Sequence, residues 1–223
     1  MPSGADEILA SLWASSGADE VHLAMLDDAA TLLDAAYRSP SPGAFMVVAA
    51  IYDDFLVATS SLGEVPMARS ITRAQVRHLV GENHFFEGDY MAALLEFSSA
   101  ASEAESAGVD PSALALRDFY IVEALEAAAF HSLSTGDTQL AARAHDVELR
   151  LTLQWLHRWP TTLPALGRRL HGHVFYALSR VCLVRAAEAT AKSELSWDIA
   201  AGLWLLWGIA FERRSEDVNP MWT

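Results

Sequence analysis

Residues 110–137 read DPSALALRDFYIVEALEAAAFHSLSTGD, and the beginning, middle and end of this segment all favour one long helix. Asp110 is a good helix N-cap, and Pro111 suits the first helical position because proline's fixed φ is compatible with a helix start. The Thr-Gly-Asp triplet at residues 135–137 predicts the turn that ends the helix. Between these signals, apolar side chains recur at helical spacing: Leu114, Ile121, Leu125 and Ala128.

Helical periodicity continues on both sides of this segment, and no alternation typical of a strand persists. Glycine and proline separate the periodic stretches, with Gly81 predicted to end the third helix and Gly108 the fourth. The sequence therefore predicts an all-α, single-domain helical bundle of about eight helices. Residues 1–17 are expected to be flexible or partly helical, 18–212 to form the domain and 213–223 to be a polar tail. The other predicted helices cover residues 18–37, 44–62, 66–80, 89–107, 138–159, 174–185 and 195–211.

The helix that starts at residue 138 carries two adjacent apolar stripes, which predict burial on more than one side and a central place in the bundle. The first stripe comprises Leu140, Ala144, Val147, Leu151 and Trp155. The second comprises Leu149, Leu153, Leu156 and Trp159.

Composition places the chain among globular proteins. Of 223 residues, 52% are hydrophobic and 20% are charged, which is too apolar for a disordered chain. The longest apolar run, Ala200–Phe211, is shorter than the ~20 residues that span a bilayer, and the N-terminus lacks the pattern of an export signal. Cys182 is alone, so no intramolecular disulfide is expected. We expect a cytoplasmic protein with no stable membrane insertion.

The charge is strongly negative and unevenly distributed. A net charge of −14 argues against binding to nucleic acid, because phosphates require a basic surface. Residues 82–126 hold ten acidic residues and one arginine, whereas residues 143–185 hold seven arginines and two acidic residues. The acidic block is either a solvated face or a surface that attracts a basic ligand, and the sequence leaves both open.

A search for catalytic motifs finds none. There is no Gly-rich phosphate-binding loop and no Glu-x-x-His pair of the kind used by di-iron bundles. His171 and His173 are two residues apart and do not share a helix face. His145 and Glu148 supply only two ligands, where zinc requires three or four. We therefore predict no catalytic residues, no cofactor and no metal.

Several segments, in order, resemble the TorD/DmsD/NarJ family of redox-enzyme maturation chaperones. Phe86-Glu-Gly-Asp-Tyr90 is similar to the family's Tyr-Glu-x-x-Tyr, and Asp118-Phe-Tyr-Ile-Val-Glu123 resembles its hallmark Asp-His-Leu-x-x-Glu. The family histidine is replaced here by Phe119, and an aromatic position by Val76. The remaining similar segments are Leu33-Asp-Ala-Ala-Tyr-Arg-Ser-Pro-Ser-Pro, Gln75-Val-Arg-His-Leu-Val-Gly81, Leu151 to Trp159, Leu163-Pro-Ala-Leu and Val174-Phe-Tyr-Ala-Leu178.

The resemblance implies a cytoplasmic, all-helical chaperone, with the Tyr-Glu-x-x-Tyr variant most similar to the branch that serves nitrate reductase and related dehydrogenases. Its partner would be the apo catalytic subunit of a molybdenum-containing oxidoreductase, bound through the twin-arginine signal peptide or N-terminal region. The chaperone would hold that subunit until the molybdenum cofactor is inserted, without turnover chemistry. As to its own assembly, monomer and homodimer both stay open.

The predicted client-binding residues lie in the acidic, aromatic segment, since a twin-arginine leader combines basic and apolar parts. We expect Asp118 and Glu123 to face the leader's arginines, one of them accepting a forked guanidinium contact. For Asp118 the alternative is a helix cap or a pairing with the neighbours of Arg117, and for Glu87 and Tyr90 it is internal hydrogen bonding to a neighbouring helix. Arg77 is either a ligand contact or a structural partner of one of these acids. The aromatic members are Phe86, Phe119, Tyr120 and Tyr90.

Two other functional classes compete with the chaperone. One is an enzyme built in a helical bundle and dependent on a metal or an isoprenoid substrate. The other is a structural or regulatory dimer joined through the tryptophan-rich segment 195–211. A metal in the purified protein would favour the first, and a stable dimer would favour the second.

Overall fold

The computed structural model describes residues 4–41, 43–63 and 65–159, together with the single positions 174, 178 and 181. Most of these residues are helical and none is in a strand, so the predicted all-α class is confirmed. Apart from one short 3-10 helix, Thr59–Ser61, the described part contains seven α-helices, against about eight predicted for the whole chain. They are α1 (Gly4–Ser15), α2 (Glu20–Arg38), α3 (Ala44–Ala58), α4 (Pro66–Glu87), α5 (Tyr90–Ser106), α6 (Pro111–Ser134) and α7 (Thr138–Arg158).

Some sequence predictions fall outside the described residues. These are the helix over 195–211, the polar tail over 213–223, Cys182 and the histidines at 171 and 173. Val174, Leu178 and Val181, three positions of the predicted helix over 174–185, have helical backbone.

Aspartate side chains begin four of the helices. The predicted N-cap Asp110 is confirmed, because its Oδ1 accepts the backbone N–H of Ser112 at 2.8 Å. Asp19, Asp89 and Asp137 cap α2, α5 and α7 in the same way. A carboxylate at a helix N-terminus satisfies an otherwise unpaired N–H and interacts favourably with the helix dipole.

The predicted end of the third long helix at Gly81 is wrong, because α4 continues to Glu87. Gly81 allows α5 to pack closely against α4 and does not end the helix. A Cβ at this position would lie 2.6 Å from Cδ1 of the Phe97 ring, so only glycine lets α5 approach so closely. The helix ends at Gly88, whose φ of 83° lies in the left-handed region that glycine adopts at little cost.

The core is built where consecutive helices pack against each other and α1 also packs against α4. Trp13 of α1 is fully buried, with its ring 4.9 Å from that of Phe55 in an edge-to-face arrangement. Its Nε1 donates to Oγ1 of Thr72 at 3.0 Å. The first helix is therefore part of the hydrophobic core.

Helix α7 packs against α6. The indole Nε1 of Trp155 donates to the backbone carbonyl oxygen of Ala115 at 2.7 Å and fixes the two helices together. The expectation that α7 is buried on more than one side is wrong, because Leu140 and Leu153 are half exposed. Apolar periodicity on two stripes does not distinguish a buried face from one that solvent reaches.

By length and composition alone, one helical stretch within the described ranges could cross a membrane. It is Ala44–Ser61, with a mean hydropathy of 1.4 over 18 residues, of which 33% are buried inside the protein. The core helix of a water-soluble protein meets the same two criteria.

Candidate functional site

The predicted client-binding residues of α6 divide between the interior and the surface. Phe119 and Tyr120 are 1% and 0% exposed, and Glu123 is 2% exposed. The Tyr120 hydroxyl donates to Oε1 of Gln75 at 3.1 Å, across to α4. These three side chains face the core, so a client bound at the surface does not touch them.

Asp118 lies at the edge of the core, and its carboxylate accepts hydrogen bonds from two side chains of the protein. Its Oδ1 accepts hydrogen bonds from Nε and Nη2 of Arg117, at 2.9 and 2.5 Å. Its Oδ2 accepts the indole N–H of Trp159 at 3.1 Å. The predicted alternative was a cap or a pairing with the neighbours of Arg117, whereas the structure pairs Asp118 with Arg117 itself and with Trp159.

The predicted residues of α4 and α5 surround the turn between these helices. Phe86 is 41% exposed, and Glu87 is exposed beside it. The ring of Tyr90 packs 5.3 Å from Phe85 and 5.2 Å from Phe130. This turn therefore presents Phe86 and Glu87 to solvent, while Tyr90 joins an aromatic cluster.

Arg77 does not pair with the acids predicted as its partners. It lies on the exposed side of α4, where its Nη1 is 3.1 Å from Oε2 of Glu96 on α5. The structure thus brings Phe86, Glu87 and Tyr90 together but separates them from Asp118. Arg77 lies on the exposed side of the contact between α4 and α5.

Sequence reasoning missed a groove of about 460 Å³ between α5 and α6. Its walls are mainly apolar or small, and Glu105 and Arg117 form a charged end, with 3.7 Å between their oxygen and nitrogen. The signal in the sequence was the small side chains at helical spacing, serine and alanine on α5 and alanine on α6, which leave a groove where larger side chains would meet. The lining residues are Leu94, Ser98, Ala101, Ser102, Glu105, Arg117, Ile121, Ala124, Leu125 and Ala128.

Exposed apolar side chains continue from the groove towards the turn before α5. Leu95, next to the groove residue Leu94, is 61% exposed, and Met91 lies one helical turn earlier. Contiguous exposed apolar surface with a polar border is typical of interaction sites. The groove together with Met91 and Leu95 is called the α5–α6 surface below.

The charged end of this surface carries an excess of acid. Glu105 is exposed, with 69% of its side chain accessible, and Asp110 lies in the following turn. Glu103, two residues before Glu105 on α5, forms an ion pair with Arg73 at 3.1 Å. A cationic ligand is therefore favoured at this end over an anionic one.

A second cluster lies in the interior and joins α4 to α6. His78, Glu82 and Glu123 place one potential ligand atom each within 4.8 Å of one another. His78 Nε2 is 3.3 Å from Oε1 of Glu82. Among the described residues these are the side chains whose types and spacing could hold a metal ion. Sequence reasoning missed them because it searched for Glu-x-x-His, whereas α4 carries His-x-x-x-Glu.

The pair noted in the sequence, His145 and Glu148, is fully buried in α7. Nδ1 of the imidazole lies 2.8 Å from Oε2 of the carboxylate. The Thr152 hydroxyl donates a hydrogen bond to the backbone carbonyl oxygen of Glu148 at 2.8 Å. These contacts stabilise the α7 interior.

No family model, no curated protein and no solved structure matches this chain. The arrangement itself offers an apolar groove with an acidic end for a ligand at the surface, and a histidine–carboxylate cluster in the core.

Proposed function

We propose that this protein is a chaperone for the apo catalytic subunit of a molybdenum-containing oxidoreductase and binds that subunit's twin-arginine leader on the α5–α6 surface. The ordered segments that resemble the TorD/DmsD/NarJ chaperones support this assignment. Binding and release of the leader need no turnover chemistry. The chaperone would act in the cytoplasm, before the client is exported or assembled.

The groove between α5 and α6 is the observation that carries the proposal. A twin-arginine leader has basic residues followed by an apolar stretch, and the groove has a charged end followed by apolar walls. Ile121 and Leu125 would contact the apolar stretch, with Leu94 on the opposite wall. Burial of apolar surface would supply most of the affinity.

The leader's arginines would bind at the charged end. Glu105 is exposed there, and Asp118 lies behind Arg117, whose guanidinium occupies the position that a client arginine would take. Exchange of one guanidinium for another keeps the carboxylates paired, so the acids need not be left bare when the client leaves. In this proposal Asp118 pairs with an arginine of the leader, as predicted, after the leader has displaced Arg117.

Titration calorimetry with a synthetic twin-arginine leader from the cognate subunit tests the proposal. We expect a dissociation constant that is micromolar or tighter, with weaker binding as salt is raised. Leu125→Glu places a charge in the apolar wall and should weaken binding about tenfold or more. Ala128→Leu, which partly fills the groove, should also weaken it.

Leu153→Glu is the matched control, because Leu153 is half exposed on α7 and does not line the groove. It should bind the leader as the unmodified protein does. Helical content by circular dichroism must be unchanged in all variants compared. Failure of every cognate leader to bind would reject the proposed function, and equal loss in Leu153→Glu would reject the groove as its location.

A further inference from the structure

The interior cluster of His78, Glu82 and Glu123 draws its members from two helices. His78 and Glu82 are one turn apart on α4, so both side chains leave the same face, and Glu123 meets them from α6. Each residue is 2% exposed. The three potential ligand atoms lie within 4.8 Å of one another.

These donors form a set that divalent transition metals bind. Imidazole nitrogen and carboxylate oxygen are ligands of Zn²⁺, Mn²⁺ and Fe²⁺. Ligands about 2.0–2.2 Å from one ion are roughly 3–4 Å from each other, so small side-chain adjustments would close this cluster around an ion. Two carboxylates would balance the charge of a divalent ion, which favours burial of the filled site.

The surroundings of the cluster resemble the outer shell of a metal site. The Tyr37 hydroxyl donates to Oε1 of Glu82 at 2.9 Å and orients this carboxylate. Aromatic rings enclose the imidazole of His78, with ring centroids 5.0 Å away for Tyr120 and 5.6 Å away for both Phe97 and Phe119. Such an apolar wall keeps competing water from the ligands.

We propose that His78, Glu82 and Glu123 bind one divalent transition-metal ion that joins α4 to α6. The sequence predicted no metal because the motif sought was Glu-x-x-His, whereas α4 carries His-x-x-x-Glu. Here the third ligand comes from a helix more than 40 residues later in the chain. The proposal is independent of the leader-binding function, since the cluster lies in the core and the groove lies at the surface. An ion enclosed by these buried side chains would join two helices, and its presence would not by itself favour the metal-dependent enzyme named as an alternative.

Metal content of the full-length protein tests the proposal. The purified protein is treated with chelator, dialysed against Zn²⁺, Mn²⁺ or Fe²⁺ in separate experiments, and analysed by inductively coupled plasma mass spectrometry. We expect one ion per chain for at least one of the three metals. That metal should also raise the melting temperature, because an ion that binds only the folded state stabilises it.

Glu123→Gln and His78→Gln each remove one ligand and should weaken binding about tenfold or more. Glu148→Gln is the matched control, since it alters a buried His–Glu pair that supplies only two ligands, and it should keep one ion per chain. If a glutamine variant does not fold, Glu123→Asp, which shortens the ligand, replaces it.

Substoichiometric binding of all three metals to the unmodified protein would overturn the proposal. So would an unchanged metal affinity in the folded variants of both His78 and Glu123. Loss of metal equally in Glu148→Gln would also overturn it, because the ion would then lie elsewhere. In each case the cluster would be a buried hydrogen-bonded group without a metal function.

Discussion

The indole of Trp159, directly after α7, donates a hydrogen bond to Asp118 in the first half of α6, with 3.1 Å between Nε1 and Oδ2. The other oxygen of the same carboxylate accepts from the Arg117 guanidinium. Asp118 therefore connects the end of one helix to the side of another.

Asp118→Asn should lower the free energy of unfolding by about 1–2 kcal/mol. The neutral amide weakens the contact with Arg117, and only one of its two terminal atoms accepts hydrogen bonds. Urea denaturation followed by circular dichroism measures the change. Asp54→Asn, at an exposed position of α3, is the control and should stay within about 0.5 kcal/mol of the unmodified protein. Equal stability of the two variants would contradict a structural role for Asp118.

Gly81→Ala should destabilise the protein although alanine favours helix. The new methyl group would lie 2.6 Å from the Phe97 ring, and such overpacking costs about 1–3 kcal/mol. Helix propensity returns about 1 kcal/mol, so the net loss is about 0–2 kcal/mol. Thermal and urea denaturation measure it.

A double-mutant cycle isolates the contact between Gly81 and Phe97. In a Phe97→Leu background the ring is gone, and Gly81→Ala should be less destabilising than in the unmodified protein. Gly63→Ala, where a Cβ would meet nothing within 4 Å, controls for the general effect of replacing glycine. An unchanged penalty in the Phe97→Leu background would show that the ring is not the cause.

Stability should decrease at alkaline pH because of Tyr52. Burial, and then the adjacent carboxylate of Asp6, to which the Tyr52 hydroxyl donates, raise the pKa of Tyr52 well above its ordinary value. Above about pH 10 the unfolded chain loses this proton while the folded chain retains it. Tyr52 therefore contributes its full stability below pH 10, and this contribution is lost progressively as the pH rises from there towards the folded-state pKa.

Denaturation midpoints measured at a series of pH values between neutral and alkaline test this. Tyr52→Phe removes the titrating hydroxyl and should flatten the alkaline decrease, while costing about 1–3 kcal/mol at neutral pH through the lost hydrogen bond to Asp6. Tyr90→Phe leaves Tyr52 in place and should keep the original slope. If the slope survives in Tyr52→Phe, another group causes it.

Binding of the leader should depend on Glu105 through charge. Glu105→Gln should weaken the affinity up to about fivefold at low salt, because an exposed carboxylate contributes modestly to an ion pair. The difference between variant and unmodified protein should shrink as salt is raised. Calorimetry at several ionic strengths provides the measurement. Glu20→Gln, exposed at the start of α2, should behave like the unmodified protein, and a similar effect there would indicate that only net charge matters.

Local sequence signals predicted the fold class and most helix boundaries. Asp110 and Pro111 marked the start of α6, because a cap and a proline act on the residues next to them. Gly81 was misread, since glycine both ends helices and admits a neighbouring side chain, and only the position of Phe97 distinguishes the two. The prediction of the site failed for a similar reason, because local signals do not report which side chains pack into the core. Periodicity could not tell that Phe119, Tyr120 and Glu123 point into the core.

By itself the sequence determined that this chain is helical, where its turns lie and that its middle third is acidic, because these properties depend on neighbours along the chain. Only the tertiary structure decided which helix faces meet. It placed small side chains of α5 opposite those of α6 to leave a groove, and brought Glu123 to His78 and Glu82. Contacts between residues distant in sequence depend on packing, which no single helix encodes.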